Sequence, residues 1–65
     1  MQLIVNGENR RFDKVTTVQD LVEVLELEGR LAVEVNQDII PRSRYRTHTL
    51  QAGDRIEIVR AIGGG

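Results

Sequence analysis

The residues of this sequence with the most distinctive chemistry are three consecutive glycines at positions 63–65, which follow Ala61 and Ile62. Glycine stabilises neither a helix nor a strand, and three in a row at a chain end have no packing role. Because glycine has no Cβ, such a segment can pass a narrow channel and leave a carboxylate on Gly65 sterically open. We therefore expect residues 61–65 to be a flexible tail that enters the active sites of other proteins.

A carboxylate on Gly65 is predicted to react with an activated phosphate. An α-carboxyl group has a pKa of about 3.5, so at neutral pH it is ionised and can attack the α-phosphate of ATP. The product would be an acyl-adenylate, which is open to a nucleophile. The chain has no cysteine, so a partner must bring that nucleophile. An extended five-residue tail spans roughly 17 Å, which is enough to reach into a partner.

The composition indicates few other functional sites. With no cysteine and one histidine, His48, the chain offers no zinc site of its own, and it contains no Ser/His/Asp set or phosphate-binding glycine loop. We therefore expect a protein that is not an enzyme and binds no metal or cofactor. A net charge of −1 gives no attraction to nucleic acid or membranes. The apolar residues 1–5 are too few for a signal or membrane segment, which predicts a cytoplasmic protein.

The N-terminal residues predict a β-hairpin. Residues 1–5 are mostly apolar and partly β-branched, and they lead into Asn6-Gly7, the dipeptide that best tolerates the positive φ angles of a tight turn. A short second strand at about residues 10–14 is expected to place Phe12 in the core. It is predicted to lie at the edge of the sheet.

An amphipathic helix of about three turns is predicted by apolar residues at the spacing i, i+3, i+4 and i+7, namely Val18, Leu21, Val22 and Leu25. Thr17 and Asp20 approximate a capping box at its start. Gly29 is expected to supply the left-handed residue that ends it.

The remaining residues predict the rest of a mixed sheet. Alternation over residues 31–36 indicates a strand, residues 39–40 form a shorter one that Pro41 ends, and Tyr45 anchors an irregular segment over residues 43–48. A last strand contains Ile56 and Ile58. The order ββαβ(β)β is that of an α+β, ubiquitin-like β-grasp domain over residues 1–60. Its sheet has four to five strands, one helix crosses one face, and the first and last strands are parallel at the centre.

A docking patch is predicted beside the tail. If the core-facing residues of the first and last strands face the helix, Ile4 and Val59 must point to the opposite face, where we expect them to lie near each other. Together with Ala32 and Ile62 they would form an apolar surface for a partner.

Several segments together resemble the ThiS family, the sulfur carrier proteins of thiazole (thiamin) biosynthesis among the ThiS/MoaD-like ubiquitin-related proteins. They are VNGE at 5–8, LAVEVN at 31–36 with IIPR at 39–42, and GDRIEIV at 53–59 running to the terminal glycines. The resemblance covers nearly the whole chain. It implies a β-grasp protein whose terminal glycine, matching Gly65, is adenylated and converted to a thiocarboxylate.

The resemblance also implies the partners. A ubiquitin-activating-type adenylyltransferase, ThiF-like, would consume ATP and activate Gly65, with Gly63 and Gly64 as the part of the tail inside its active site. A cysteine desulfurase or related donor would supply sulfur, and a ThiG-like thiazole synthase would accept it. Gly65 would then return as a carboxylate.

Three alternatives stay open. One is a sulfur carrier like the small subunit of molybdopterin synthase, another is a ubiquitin-like modifier of lysines, and the third is a β-grasp binding module with an idle tail. The residues alone also leave open the sulfur donor, the acceptor, the oligomeric state and the role of Arg42, Arg44 and Arg46.

Overall fold

The computed structural model describes residues 1–60, which form a five-stranded mixed sheet with one helix packed on one face. The strands are β1 (Gln2–Val5), β2 (Glu8–Arg11), β3 (Leu31–Val35), β4 (Asp38–Ile40) and β5 (Arg55–Arg60), and the helix is α1 (Val18–Val24). The strand order is β2-β1-β5-β3-β4, in which β1 and β5 are parallel and the other pairs are antiparallel. The predicted β-grasp fold is confirmed. The predicted flexible tail, residues 61–65, lies outside the described residues.

The N-terminal hairpin starts its second strand earlier than the sequence predicted. Asn6 and Gly7 both have positive φ angles, 50° and 83°, so the turn has only two residues and sets Val5 opposite Glu8. Consequently β2 covers Glu8–Arg11 rather than residues 10–14, and Phe12 is buried just beyond its end. The predicted edge position of β2 is confirmed.

The start of α1 is the predicted capping box. The Thr17 hydroxyl accepts a hydrogen bond from the Asp20 N–H at 3.2 Å, and the Asp20 carboxylate accepts from the N–H groups of Thr17 and Thr16 at 3.0 and 2.9 Å. The bonds from Thr17 and then Thr16 lower the pKa of Asp20, because they favour its ionised form.

The end of α1 differs from the prediction of about three turns closed by Gly29. The helix has seven residues, and Glu26, with φ 56°, is the first left-handed residue after it. The N–H of Leu27 donates to the carbonyl of Val22 and that of Glu26 to Glu23, the bond pattern of a Schellman motif. This early end folds Leu27 back against the core, where it is half-buried.

The remaining local predictions are confirmed. The alternation in β3 buries Val33 and Val35, and β4 ends immediately before Pro41. Between β4 and β5 a 3-10 turn at Arg42–Arg44 leads to Tyr45, which is buried and donates its hydroxyl to the Leu31 carbonyl at 3.4 Å.

The core lies between the helix and one face of the sheet. Its fully buried side chains come from strands, helix and the loop before β5, namely Leu3, Leu21, Leu50, Ile56, Val18 and Val33. Full burial of one such side chain contributes about 1.5–3 kcal/mol, so this single layer holds the small domain together. Within residues 1–60, no helix has the length and apolar character needed to span a membrane.

Candidate functional site at the end of the central strand

The central strand β5 carries the chain from the fold toward the predicted tail. On one side it pairs with β3 from Val35↔Ile56 to Leu31↔Arg60, the end of the strand. On the other side it pairs with β1, but only at Ile4↔Arg55 and Val5↔Ile56. The half of β5 closest to the tail therefore extends beyond the paired residues of β1.

The Asn6 side chain bonds to β5 beyond the point where its pairing with β1 ends. Its main-chain N–H donates to the carbonyl of Ile56 in β5 at 2.8 Å. Its side-chain Oδ1 then accepts from the Ile58 N–H at 2.8 Å, and its Nδ2 donates to the Ile58 carbonyl at 3.1 Å. A carboxamide can both donate and accept, as a peptide group does. The Asn6 side chain thus replaces a strand residue where β1 turns away.

Asn36 makes a similar clamp at the other end of β5. It also has a positive φ angle, 51°, in the turn between β3 and β4. Its Oδ1 accepts from the Arg55 N–H at 3.0 Å, its Nδ2 donates to the Asp54 carboxylate at 3.0 Å, and its main-chain N–H donates to the Arg55 carbonyl at 2.7 Å. Two turn asparagines therefore hold the central strand, one at each end.

The predicted docking residues lie on one face of the sheet but not together. Val59 is 59% exposed and lies opposite Ala32, whereas Ile4 is half-buried between Asn9 and Arg55. Val59 is four residues beyond Arg55, or about 13 Å along the strand. The expectation that Ile4 and Val59 lie near each other is wrong, because β1 pairs with the start of β5 and not with its end.

Charge interrupts the face between these apolar residues. Glu57 lies directly opposite Glu34 in the β3–β5 register, and Glu34 is opposite Ile39, which is 74% exposed. Like charges directly opposite each other in a sheet are destabilising. The open face therefore combines a pair of carboxylates with two exposed apolar side chains, Ile39 and Val59.

A groove of about 500 Å³ borders the last described residue, Arg60. Its apolar lining comes from the end of the helix and the neighbouring strands, namely Leu25, Leu27, Leu31, Val5 and Ile58. Its polar lining comes from the hairpin and the end of β5, namely Asn6, Glu8, Arg10 and Arg60. This lining suits binding rather than bond-making chemistry. Within residues 1–60, no three histidine, cysteine, aspartate or glutamate side chains are grouped so that they could hold a metal ion.

The sequence predicted the elements around this site better than its contacts. Ile62, Gly63, Gly64 and Gly65 lie outside the described residues, so their predicted roles stay predictions. The Asn6 clamp was missed, because the Asn6-Gly7 pair was interpreted as a turn alone. The available signal was an asparagine directly after a strand predicted at the centre of the sheet, where an amide can replace a peptide group.

Comparisons with protein-family models, known sequences and solved structures agree on one family. The model of the ThiS family matches residues 3–65. A sulfur carrier protein ThiS of Bacillus subtilis is 42% identical over 65 residues, which cover 97% of this chain and 98% of that protein. The crystal structure of a thiamine biosynthesis protein (ThiS) from Geobacter metallireducens superposes with a TM-score of 0.86 at 29% identity and covers both chains completely.

A second kind of relative is much longer. A thiazole synthase of Paramagnetospirillum magneticum is 44% identical over 66 aligned residues. The match covers the whole of this chain but only 20% of the length of that synthase. A region similar to this chain is therefore one part of a larger protein in that organism.

Proposed function

Since this chain belongs to the ThiS family, the sulfur carrier proteins of thiamin biosynthesis, we propose that it carries sulfur as a thiocarboxylate on Gly65. The observation that carries the proposal is that the family match runs to residue 65 and so includes Gly63, Gly64 and Gly65. The fold supports it, because the tail follows directly from a central strand that is held at both ends.

The chemistry follows from a free carboxylate. An oxygen of Gly65 attacks the α-phosphorus of ATP, and pyrophosphate leaves. The terminal sulfur of a persulfide on the donor then attacks the acyl-adenylate carbonyl, and AMP leaves. A second thiol reduces the resulting acyl disulfide, which releases the thiocarboxylate and leaves a disulfide between that thiol and the donor sulfur. The thiocarboxylate transfers its sulfur to the thiazole precursor and takes up one oxygen in exchange, from that precursor or from water, so that Gly65 is a carboxylate again. In this cycle the chain is a co-substrate, and its partners supply the catalytic groups.

The partners are proposed by their chemistry. An adenylyltransferase of the ThiF type would bind the tail and ATP, and a cysteine desulfurase or related donor would supply the sulfur. The similarity to one region of a thiazole synthase supports a ThiG-type synthase as the acceptor, because in that relative the region similar to this chain is part of the synthase itself. A cytoplasmic location belongs to the same proposal.

An intact-mass measurement tests this proposal. The protein would be incubated with ATP, a ThiF-type enzyme and a sulfur donor, and we expect a mass increase equal to the replacement of one oxygen by sulfur. A variant without Gly65 and a variant with one residue appended after Gly65 are the controls, and neither should gain the mass. Absence of any gain in the unaltered protein would contradict the proposal.

Gene deletion separates the thiazole pathway from the molybdopterin alternative. We expect deletion to produce a requirement for thiazole that the intact gene relieves. Loss of molybdenum enzymes without that requirement would instead favour a carrier like the small subunit of molybdopterin synthase.

A further inference from the structure

We propose that Asn6 is a positioning residue for sulfur loading, because its side-chain amide holds the β1 side of the strand that leads into the tail. The inference rests on the proposed function of Gly65. The proposal gives this turn residue a role in how efficiently partner enzymes bind the chain end.

The hydrogen bonds of Ile58 show which side of β5 the Asn6 side chain holds. Both main-chain groups of Ile58 bond to the Asn6 side chain, so they point toward the β1 side of the strand. In a strand, main-chain groups of successive residues point to alternate sides, and those of Glu57 and Val59 therefore face β3. The β1 pairing ends at Val5↔Ile56. Among residues 1–60, the Asn6 amide is thus the hydrogen-bonded contact on the β1 side that is closest to the tail.

This contact sets how far toward the tail β5 is held on both sides, since Arg60 is paired with Leu31 of β3 alone. Gly65 is seven residues beyond Ile58, a span of at most about 24 Å. Without the clamp, the end of β5 is held on the β3 side alone and frays more readily from its terminus. Each further residue that must be ordered when a partner captures the tail weakens binding by roughly five- to thirtyfold.

The variant that isolates the clamp is Asn6→Gly. Glycine adopts the φ of 50° found at Asn6 without strain, so the substitution removes the amide and keeps the turn. Asn36→Gly is the matched control. It removes an equivalent amide from the same strand at a residue with φ 51°, but at the end of β5 remote from the tail.

The measurement is ATP–pyrophosphate exchange with a ThiF-type enzyme, at increasing concentrations of the carrier. For Asn6→Gly we expect the KM for the carrier to rise about tenfold with kcat unchanged, because the tail, once ordered, reacts as before. For Asn36→Gly we expect the KM to stay within about twofold of the unaltered protein, although both variants lose stability. Asn6→Asp keeps an acceptor for the Ile58 N–H and should restore part of the loss.

A second readout reports the clamp itself. Exchange of the Ile58 amide hydrogen should accelerate in Asn6→Gly and not in Asn36→Gly, which shows in the folded protein that the contact has been removed. Equal KM values for the two glycine variants would overturn the inference, as would an unchanged KM for Asn6→Gly with a fast Ile58 amide. An absence of exchange activity with the unaltered protein would overturn the proposed function itself.

Discussion

The two faces of β5 differ in what surrounds their side chains. On the face toward the helix, Ile56 and Ile58 are buried in the core, with exposed fractions of 0% and 7%. On the other face, Val59 is 59% exposed and Glu57 is opposite Glu34 on the neighbouring strand, and no second layer covers them among residues 1–60. The same strand therefore supplies the core with one face and leaves the other exposed, and substitutions on the two faces should have different consequences.

The largest expected effect is on the covered face. Ile56→Ala removes a fully buried side chain and should lower the free energy of unfolding by about 2–5 kcal/mol. Val59→Ala, on the open face of the same strand, should change it by no more than about 0.5 kcal/mol. Urea denaturation of both variants measures the contrast. A similar loss of stability in the two variants would show that the open face is covered by structure outside residues 1–60.

A gain in stability is expected next, at the end of α1. Glu26 holds a left-handed conformation, φ 56°, which is unfavourable for residues other than glycine. Glu26→Gly should therefore raise the free energy of unfolding by about 0.5–1 kcal/mol. Thermal and urea unfolding test this, with Glu23→Gly inside the helix as a control that should be destabilising. If Glu26→Gly also destabilises the protein, the helix does not end where the structure places its end.

A smaller gain is expected on the open face. Replacing Glu57 by Gln removes one charge of the pair that Glu57 forms with Glu34 across the strands and should stabilise the protein by roughly 0.2–1 kcal/mol at low ionic strength. The gain should shrink as salt is added, since salt screens exposed charges. A gain that does not depend on salt would rule out charge repulsion as its cause.

The smallest expected effect is on the pH dependence of the free energy of unfolding, at the capping box of α1. Hydrogen bonds from Thr17 and Thr16 lower the pKa of Asp20 in the folded protein. A lowered folded pKa means that Asp20 stabilises the fold above its unfolded pKa of about 3.9, and that this contribution disappears as the pH falls through the folded value. Asp20→Asn should thus be less stable than the unaltered protein at pH 7, and the two should converge in acid. A stability difference that is constant with pH would contradict this origin.

The sequence predicted those features that depend on neighbouring residues. The capping box at Thr17 and Asp20, the alternation in β3 and the turn at Asn6-Gly7 each rest on a local pattern, and the structure confirms all three. The order of elements then allowed the β-grasp fold to be predicted, because a helix between strands permits parallel pairing of the first and last ones.

The features that were wrong or missed depend on register between distant residues. The separation of Ile4 from Val59 follows from the offset between β1 and β5, which no local pattern contains. The Asn6 clamp joins residues 52 positions apart, and the end of α1 at Glu26 depends on the packing of Leu27 against the core. The tail itself was predicted from its glycines alone, and its role belongs to the proposed function.

Fragmentation mass spectrometry of the sulfur-loaded protein tests the central claim most directly, because it locates the sulfur within the chain. We expect only those fragments that contain the carboxyl group of Gly65 to carry sulfur in place of oxygen, with the chain ending at that residue. Sulfur on any other residue, or a native chain that continues past Gly65 when it is loaded, would contradict the account.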